Sequence, residues 1–430
     1  DQHPWFIQSR SSRDNPKRDW YTWRDPRPDG SPPNNWLSVF GGSAWEWDET
    51  SGQYYLHSFL KEQPDLNWRN PDVKAAMFDV VRFWLERGVD GFRIDVARYI
   101  MKDPHLRDNP PNPSQRLAIH RPLGDYDSQL HLHDKGHPDV HEVYRQFRQL
   151  LDAHSAENPR MSLGEIHIFD WPKWASYYGE QLDELHMPFN FALLNVEWQA
   201  QAVRQVVDAL EAALPPSAWP NYVLGNHDEP RLVSRYGRDQ ARVAGLLLLT
   251  LRGTPTLYYG DELGLENGVI PPEKIQDPQG INLGAERTRD VCRTPMQWDA
   301  GPNAGFSAVE PWLPVSADYA TRNVASQSDD PASMLNLYRR LLRYRRSSPA
   351  LYGGDYRPLD VGDDDCFVYL RTAGDERRLI ALNFAADQRC ISVPGENAGH
   401  LIHAIDDNRQ EKVSLSKLEL RPHEGVIVEL

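Results

Sequence analysis

The chain has 430 residues, 25% charged and 40% apolar, with 14 Trp, 18 Tyr and 13 Phe. That composition excludes a disordered or fibrous polymer and leaves ample length for a large core. Its 47 basic residues against 62 acidic ones leave a net charge of −15, so nucleic acid and anionic membranes would repel it and a neutral ligand is the easier fit.

Residues 1–70 read as loop, dense in Pro, Asp, Asn and Trp with little periodicity. Trp clusters at 20–23, 36 and 45–47 are candidates either for packing or for stacking on the C–H faces of a sugar. Asn70-Pro71 marks a helix start, and Val73, Ala76, Met77, Val80, Val81, Trp84 and Leu85 keep one face until Gly88. The pattern VDGFRID (89–95) follows as a buried strand. Further strands are expected at 160–165, 182–187, 221–226 and 254–259, alternating with helices near 138–153, 197–213, 239–251 and 332–346. Such alternation implies a parallel sheet with crossover helices. The apolar run Ala244 to Leu251 is too short to span a bilayer. From about 350, the short alternating runs CFVYLRT, RLIALNF, RCISV and GVIVEL indicate a separate antiparallel β-domain. Cys292, Cys366 and Cys390 are odd in number and lack a CxxC, which argues against a disulfide framework and for a reducing, cytoplasmic setting.

Three carboxylates share one structural address. Asp95 ends VDGFRID, Glu165 ends RMSLGE, and Asp228 follows YVLGNH. In a parallel barrel the C-terminal strand ends carry the active site. Two carboxyls flanking an acetal bond supply what glycoside cleavage needs, one protonated and the other ionised. Arg93, two residues before Asp95, lies on the same side of an extended strand and can hold it ionised.

The motifs GFRIDVA (91–97), GEIHIFD (164–170) and NHDEPR (226–231) resemble three signature regions of the α-amylase family, glycoside hydrolase family 13. QPDLNWRNPDV (63–73), HMPFNF (186–191), GTPTLYYGDELG (253–264) and RTPMQWDAGPNAGFS (293–307) are similar to its α-glucosidase and oligo-1,6-glucosidase branch. The resemblance implies a (β/α)8 TIM barrel with an inserted loop-rich small domain and a C-terminal antiparallel β-sandwich. The boundaries expected are 1–70 for the remainder of the small domain, 71–347 for the barrel and 348–430 for the sandwich. It also implies a retaining double displacement, with Asp95 as nucleophile, Glu165 as general acid/base and Asp228 bracing the distorted sugar. Arg93 and His227 match substrate-binding positions. Phe40, in NNWLSVFGGSAW, resembles an aromatic wall around the non-reducing glucose, and Arg289, in TRDVCRTPMQW, an arginine clamping the same sugar.

The match begins within a motif, and only about five barrel strands are visible where closure takes eight. The expectation is therefore an N-terminally truncated, incomplete barrel that is inactive alone. No cofactor and no metal are expected. His131, His133, Asp134, His137 and His141 form a His-rich loop without the HExxH pattern of a zinc site. The leading functional expectation is a retaining exo-α-glucosidase acting on short gluco-oligosaccharides, with Val96 after the nucleophile as in the branch cleaving α-1,6 links. The alternatives are an intramolecular transglucosylase of the trehalose synthase or sucrose isomerase type, and a non-catalytic family relative, which typically lacks these carboxylates.

Overall fold

Asn70 Oδ1 accepts the Asp72 N–H at 2.9 Å, Pro71 opens the first turn, and the helix Pro71–Glu86 runs until Gly88 adopts φ +88°. This start signal and stop signal are two of many that the computed structural model realises; it describes residues 1–113, 123–406 and 411–430. The chain divides into two units, Asp1–Phe189 with Pro278–Arg287, and Asn190–Asp277 with Thr288–Leu430.

In the first unit, a small antiparallel sheet in the order β1-β3-β2 joins β1 (Trp23–Arg24), β2 (Trp45–Asp48) and β3 (Gln53–Leu56). These strands are too short to show alternation, which is why the region reads as loop. Trp20, Trp23, Trp36 and Trp45 are buried in two aromatic clusters, so these four are packing residues rather than sugar platforms; Trp47 remains 38% exposed. The helix Pro71–Glu86 buries Val73 and Leu85 but leaves Val80 and Trp84 exposed, so its periodicity foretold the helix better than its burial.

A parallel sheet in the order β4-β5-β6 follows, with β4 (Gly91–Ile94), β5 (Met161–Gly164) and β6 (Met187–Pro188). The register sets Ile94 beside Gly164 and Leu163 beside Met187. The third strand is shorter than the expected 182–187. Residues 182–185 instead fold back, with the Leu182, Glu184 and Leu185 N–H groups donating to Gly179, Tyr178 and Tyr177 carbonyls, and Leu182 at φ +55°. Backbone donors spent on that turn are unavailable to a sheet.

In the second unit, β7 (Asn221–Val223) pairs in parallel with β8 (Thr254–Thr256). The helix Arg238–Thr250 is buried along most of its length, consistent with its run of leucines. The C-terminal region forms a six-stranded antiparallel sheet, in the order β14-β13-β16-β11-β10-β9. Its strands are β9 (Asp355–Leu359), β10 (Cys366–Ala373), β11 (Glu376–Asn383), β13 (Ala398–Ala404), β14 (Glu411–Ser414) and β16 (Gly425–Glu429). A two-stranded ribbon of β12 (Arg389–Ile391) and β15 (Leu418–Leu420) shares one apolar core with that sheet, through Ile391, Leu418 and Leu420 against Val368, Leu370 and Leu379. β9 is an edge strand, which is where Pro358 can be tolerated. Among the described residues, no helix is long and apolar enough to cross a membrane.

Candidate active site

Asp95 follows β4 directly and Glu165 follows β5, so the Ile94–Gly164 register brings the two carboxylates to adjacent strand ends. The ladder continues one step further, with Glu165 N–H donating to the Ile94 carbonyl at 2.9 Å. Arg93 bridges the pair: one guanidinium nitrogen donates to Asp95, and Nη2 donates to Glu165 Oε2 at 3.0 Å. Val96 N–H reaches the same Oε2 at 2.9 Å. To do so Val96 takes φ +38°, a conformation that costs a β-branched residue energy and that the surrounding contacts must sustain. His167 Nε2 lies 2.9 Å from Glu165 Oε1. Gly164 has no side chain for a visible reason, since a Cβ there would meet Leu185 Cδ1 at 2.3 Å.

The two carboxyls differ sharply in environment. Glu165 has a side chain only 7% exposed, whereas Asp95 is 71% exposed. Burial alone would raise the Glu165 pKa, but His167, the Val96 N–H and Arg93 together hold it down to about 2. Asp95 is pushed upward by the protein around it and by the Glu165 carboxyl in hydrogen-bonding contact, against the pull of Arg93. Solvent at the open face of Asp95 tempers that push. The two carboxyls are thus pushed in opposite directions, Glu165 down by its three donors and Asp95 up by burial and by its neighbour.

Phe40 lies in the same unit, half-buried, with its ring 5.7 Å from Phe59, which packs 5.2 Å from Tyr99. The His-rich loop is spent on internal bonds. His131 places Nδ1 on Asp134 at 2.5 Å and Nε2 on the Tyr126 carbonyl at 2.7 Å, while His141 Nδ1 meets Glu184 at 2.8 Å. Among the described residues there is no cluster of three or more His, Cys, Asp or Glu side chains suited to a metal ion.

The second unit holds the other three expected residues. Asn226 Oδ1 accepts the N–H groups of Asp228 and Glu229, each at 2.9 Å, which fixes the turn after β7. Asp228 Oδ1 accepts from Arg289 Nη1 at 2.9 Å and Arg293 Nη2 at 3.0 Å, and His227 Nε2 stands 3.5 Å from Oδ2. Arg289 also forks onto the fully buried Asp277 through Nε and Nη2, at 2.6–3.1 Å. Arg293, Asp277 and His167 were not singled out from the sequence. Arg293 and His167 sit inside motifs that were, but Asp277 carries no local signal and is found only through its partner.

The catalytic-domain model of the α-amylase family ("Alpha amylase, catalytic domain") matches residues 1–354. A probable alpha-glucosidase of Rhizobium meliloti (strain 1021) is 42% identical over 407 residues, covering 92% of this chain and 73% of that protein. An oligo-1,6-glucosidase of Parageobacillus thermoglucosidasius is 34% identical over 473 residues, covering 100% and 81%. Among solved structures, the α-glucosyl transfer enzyme XgtA superposes with a TM-score of 0.92 at 38% identity, covering 99% of this chain and 80% of that one. The trehalulose synthase MutB from Pseudomonas mesoacidophila MX-45 gives 0.87 at 32%, covering 100% and 81%. This likeness assigns the parallel strands to a TIM barrel and the C-terminal strands to the antiparallel sheet domain that accompanies it. The chain belongs to the α-amylase family, glycoside hydrolase family 13.

Proposed function

We propose that the protein is a retaining exo-α-glucosidase that releases terminal α-linked glucose from short gluco-oligosaccharides by double displacement. The observation that carries this reading is the Asp95–Glu165 pair, held by one guanidinium and in mutual contact. Carboxyls that close fit a direct attack on the sugar, not the roughly 6.5–9.5 Å spacing that inversion leaves for a water. Asp95 attacks C1 as Glu165 protonates the departing oxygen; water then cleaves the glycosyl ester, with Glu165 as base. Arg93 keeps both carboxyls oriented. Asp228, His227 and Arg289 bind sugar hydroxyls, Asp228 bracing the distorted ring, and Phe40 walls the glucose subsite. The glucosidase names of two relatives support the hydrolytic outcome.

The second reading is an intramolecular transglucosylase, favoured by the two structural relatives named for glucosyl transfer and for trehalulose synthesis. Both readings share the covalent intermediate and differ in what intercepts it. Proton NMR of reactions with maltose, isomaltose and sucrose separates them. Hydrolysis with retention releases α-glucose before mutarotation, whereas a disaccharide of unchanged mass and new linkage supports transfer. β-Glucose as first product would overturn both.

A further inference from the structure

Asp228 commits one oxygen to the protein. Oδ1 accepts from both Arg289 Nη1 and Arg293 Nη2, at 2.9 and 3.0 Å, while Oδ2 stands 3.5 Å from His227 Nε2. The two arginines are anchored by different means. Arg289 is forked onto the buried carboxylate of Asp277. Arg293 has no carboxylate beyond Asp228 among the described residues, and its Nε donates to the His227 carbonyl at 2.8 Å. Its placement therefore depends on the backbone that carries it. The N–H side of that backbone is set locally, with Cys292 and Arg293 donating to the Arg289 and Asp290 carbonyls. The carbonyl side is set from outside: Tyr258 OH donates to the Cys292 carbonyl at 2.9 Å, and Tyr259 OH to the Thr294 carbonyl at 2.7 Å. A tyrosine hydroxyl thus holds the residue on each side of Arg293. Both tyrosines follow β8 closely, and both rings lie against Arg231, whose guanidinium carbon is 5.3 Å from the Tyr258 ring centre and 4.7 Å from that of Tyr259. Arg231 is buried, and its Nη1 donates to the Tyr259 carbonyl at 2.7 Å. Gly260 admits this approach, because a Cβ there would meet Nη1 at 2.6 Å. Arg231 stands three residues after Asp228, so the chain of contacts closes. The turn bearing Asp228 fixes the tyrosines, and the tyrosines fix the arginine that returns to Asp228.

We propose that Tyr258 and Tyr259 are positioning residues for glycosidic bond cleavage. Their hydroxyls fix Arg293 on Oδ1 of Asp228, and the carboxylate is thereby held with Oδ2 toward the sugar. This rests on the glucosidase reading above, in which Asp228 braces the distorted ring. A brace that tightens as the ring distorts acts in the transition state more than in the ground state, so its misplacement lowers kcat more than it raises KM. The hydroxyls act through hydrogen bonds to backbone carbonyls. Phenylalanine at either position removes the donor and keeps the ring on Arg231.

The test is the double variant Tyr258→Phe/Tyr259→Phe of the full chain, with maltose as substrate. The expected result is a fall of about tenfold in kcat, with KM changed by less than about threefold. A double-mutant cycle with Arg293→Met identifies the route: in that background the tyrosine substitutions should cost less than about twofold more, because the residue they position is gone. Full loss in the Arg293→Met background would mean that the hydroxyls act elsewhere and would overturn the proposal. So would an undiminished kcat, or a change confined to KM. A crystal structure of the double variant gives a readout independent of turnover. Arg293 Nη2 should leave Asp228 Oδ1, from 3.0 Å to beyond about 3.5 Å; an unmoved contact would overturn the proposal. If the double variant does not fold, each single Phe variant carries the same tests, with a loss of about threefold in kcat expected. Failure of the underlying reading shows itself separately. Maltose turnover that survives Asp228→Asn would remove Asp228 from the bracing role, and the crystallographic result does not depend on it.

Discussion

Replacing Arg93 with Met should destabilise the first unit in a pH-dependent way. The Glu165 carboxyl is 7% exposed, and its pKa is held down to about 2 from an ordinary 4.5. That depression corresponds to about 3 kcal/mol of folded-state stability in total. The sign follows from proton counting. The folded state releases this proton more readily than the unfolded one, so the stabilisation is full above pH ~4.5 and lost as pH falls toward ~2. Arg93 supplies one charge-assisted bond of the set, worth about 2 kcal/mol, while His167 and the Val96 N–H persist. Met preserves most of the stem packing, which isolates the lost charge. Urea unfolding followed by tryptophan fluorescence, at several pH values from 7 to 2.5, should show a deficit of about 2 kcal/mol at pH 7 that shrinks below pH 4.5. A deficit that stays constant across that window, or no deficit at pH 7, would refute the electrostatic account of the pair.

Three further outcomes follow from particular contacts. Asp261 is buried, and that burial pushes its carboxyl up to about 7 against the pull of Arg231 and Arg235. Here the folded state holds the proton more tightly, so stability falls as pH rises from ~4 to ~7. Asp261→Asn should remove that fall and gain at most about 4 kcal/mol near pH 7 in thermal unfolding, whereas identical pH profiles would contradict it. Gly164→Ala should cost about 1–3 kcal/mol through the 2.3 Å approach to Leu185, and Leu185→Ala in the same chain should recover part of the cost; strictly additive losses would mean that the clash does not occur. Arg289→Lys should lower stability by about 2–3 kcal/mol and weaken glucose as a competitive inhibitor, because one ammonium cannot serve the planar fork onto Asp277 and Asp228; a variant matching its parent in both respects would contradict that.

Helix and strand placement was largely legible in the sequence, because signals such as Asn70-Pro71 and Gly88 are local devices with local causes. The segment 182–187 has strand-like residues but forms little strand, because residues 182–185 spend N–H groups on a turn set by the preceding Ser176–Tyr178 segment. Residues 1–70 look loop-like yet hold β1–β3, because the stability of these strands comes from Phe6, Trp23 and Tyr55 packing together rather than from any period. β13 and β14 carry no strand signature for a similar reason, since GHLIH and EKVS mix polar with apolar residues near a sheet edge.

The sequence by itself determined the family and which carboxylates stand at strand ends, because motif spacing and strand termini are properties of the chain. The direction in which each carboxyl's pKa is pushed was a matter for tertiary structure alone. It depends on which donors converge on each oxygen: Arg93 and Val96 on one oxygen of Glu165, His167 on the other, and open solvent around Asp95. A carboxylate's charge state follows its surroundings in space, and a linear motif carries no record of them.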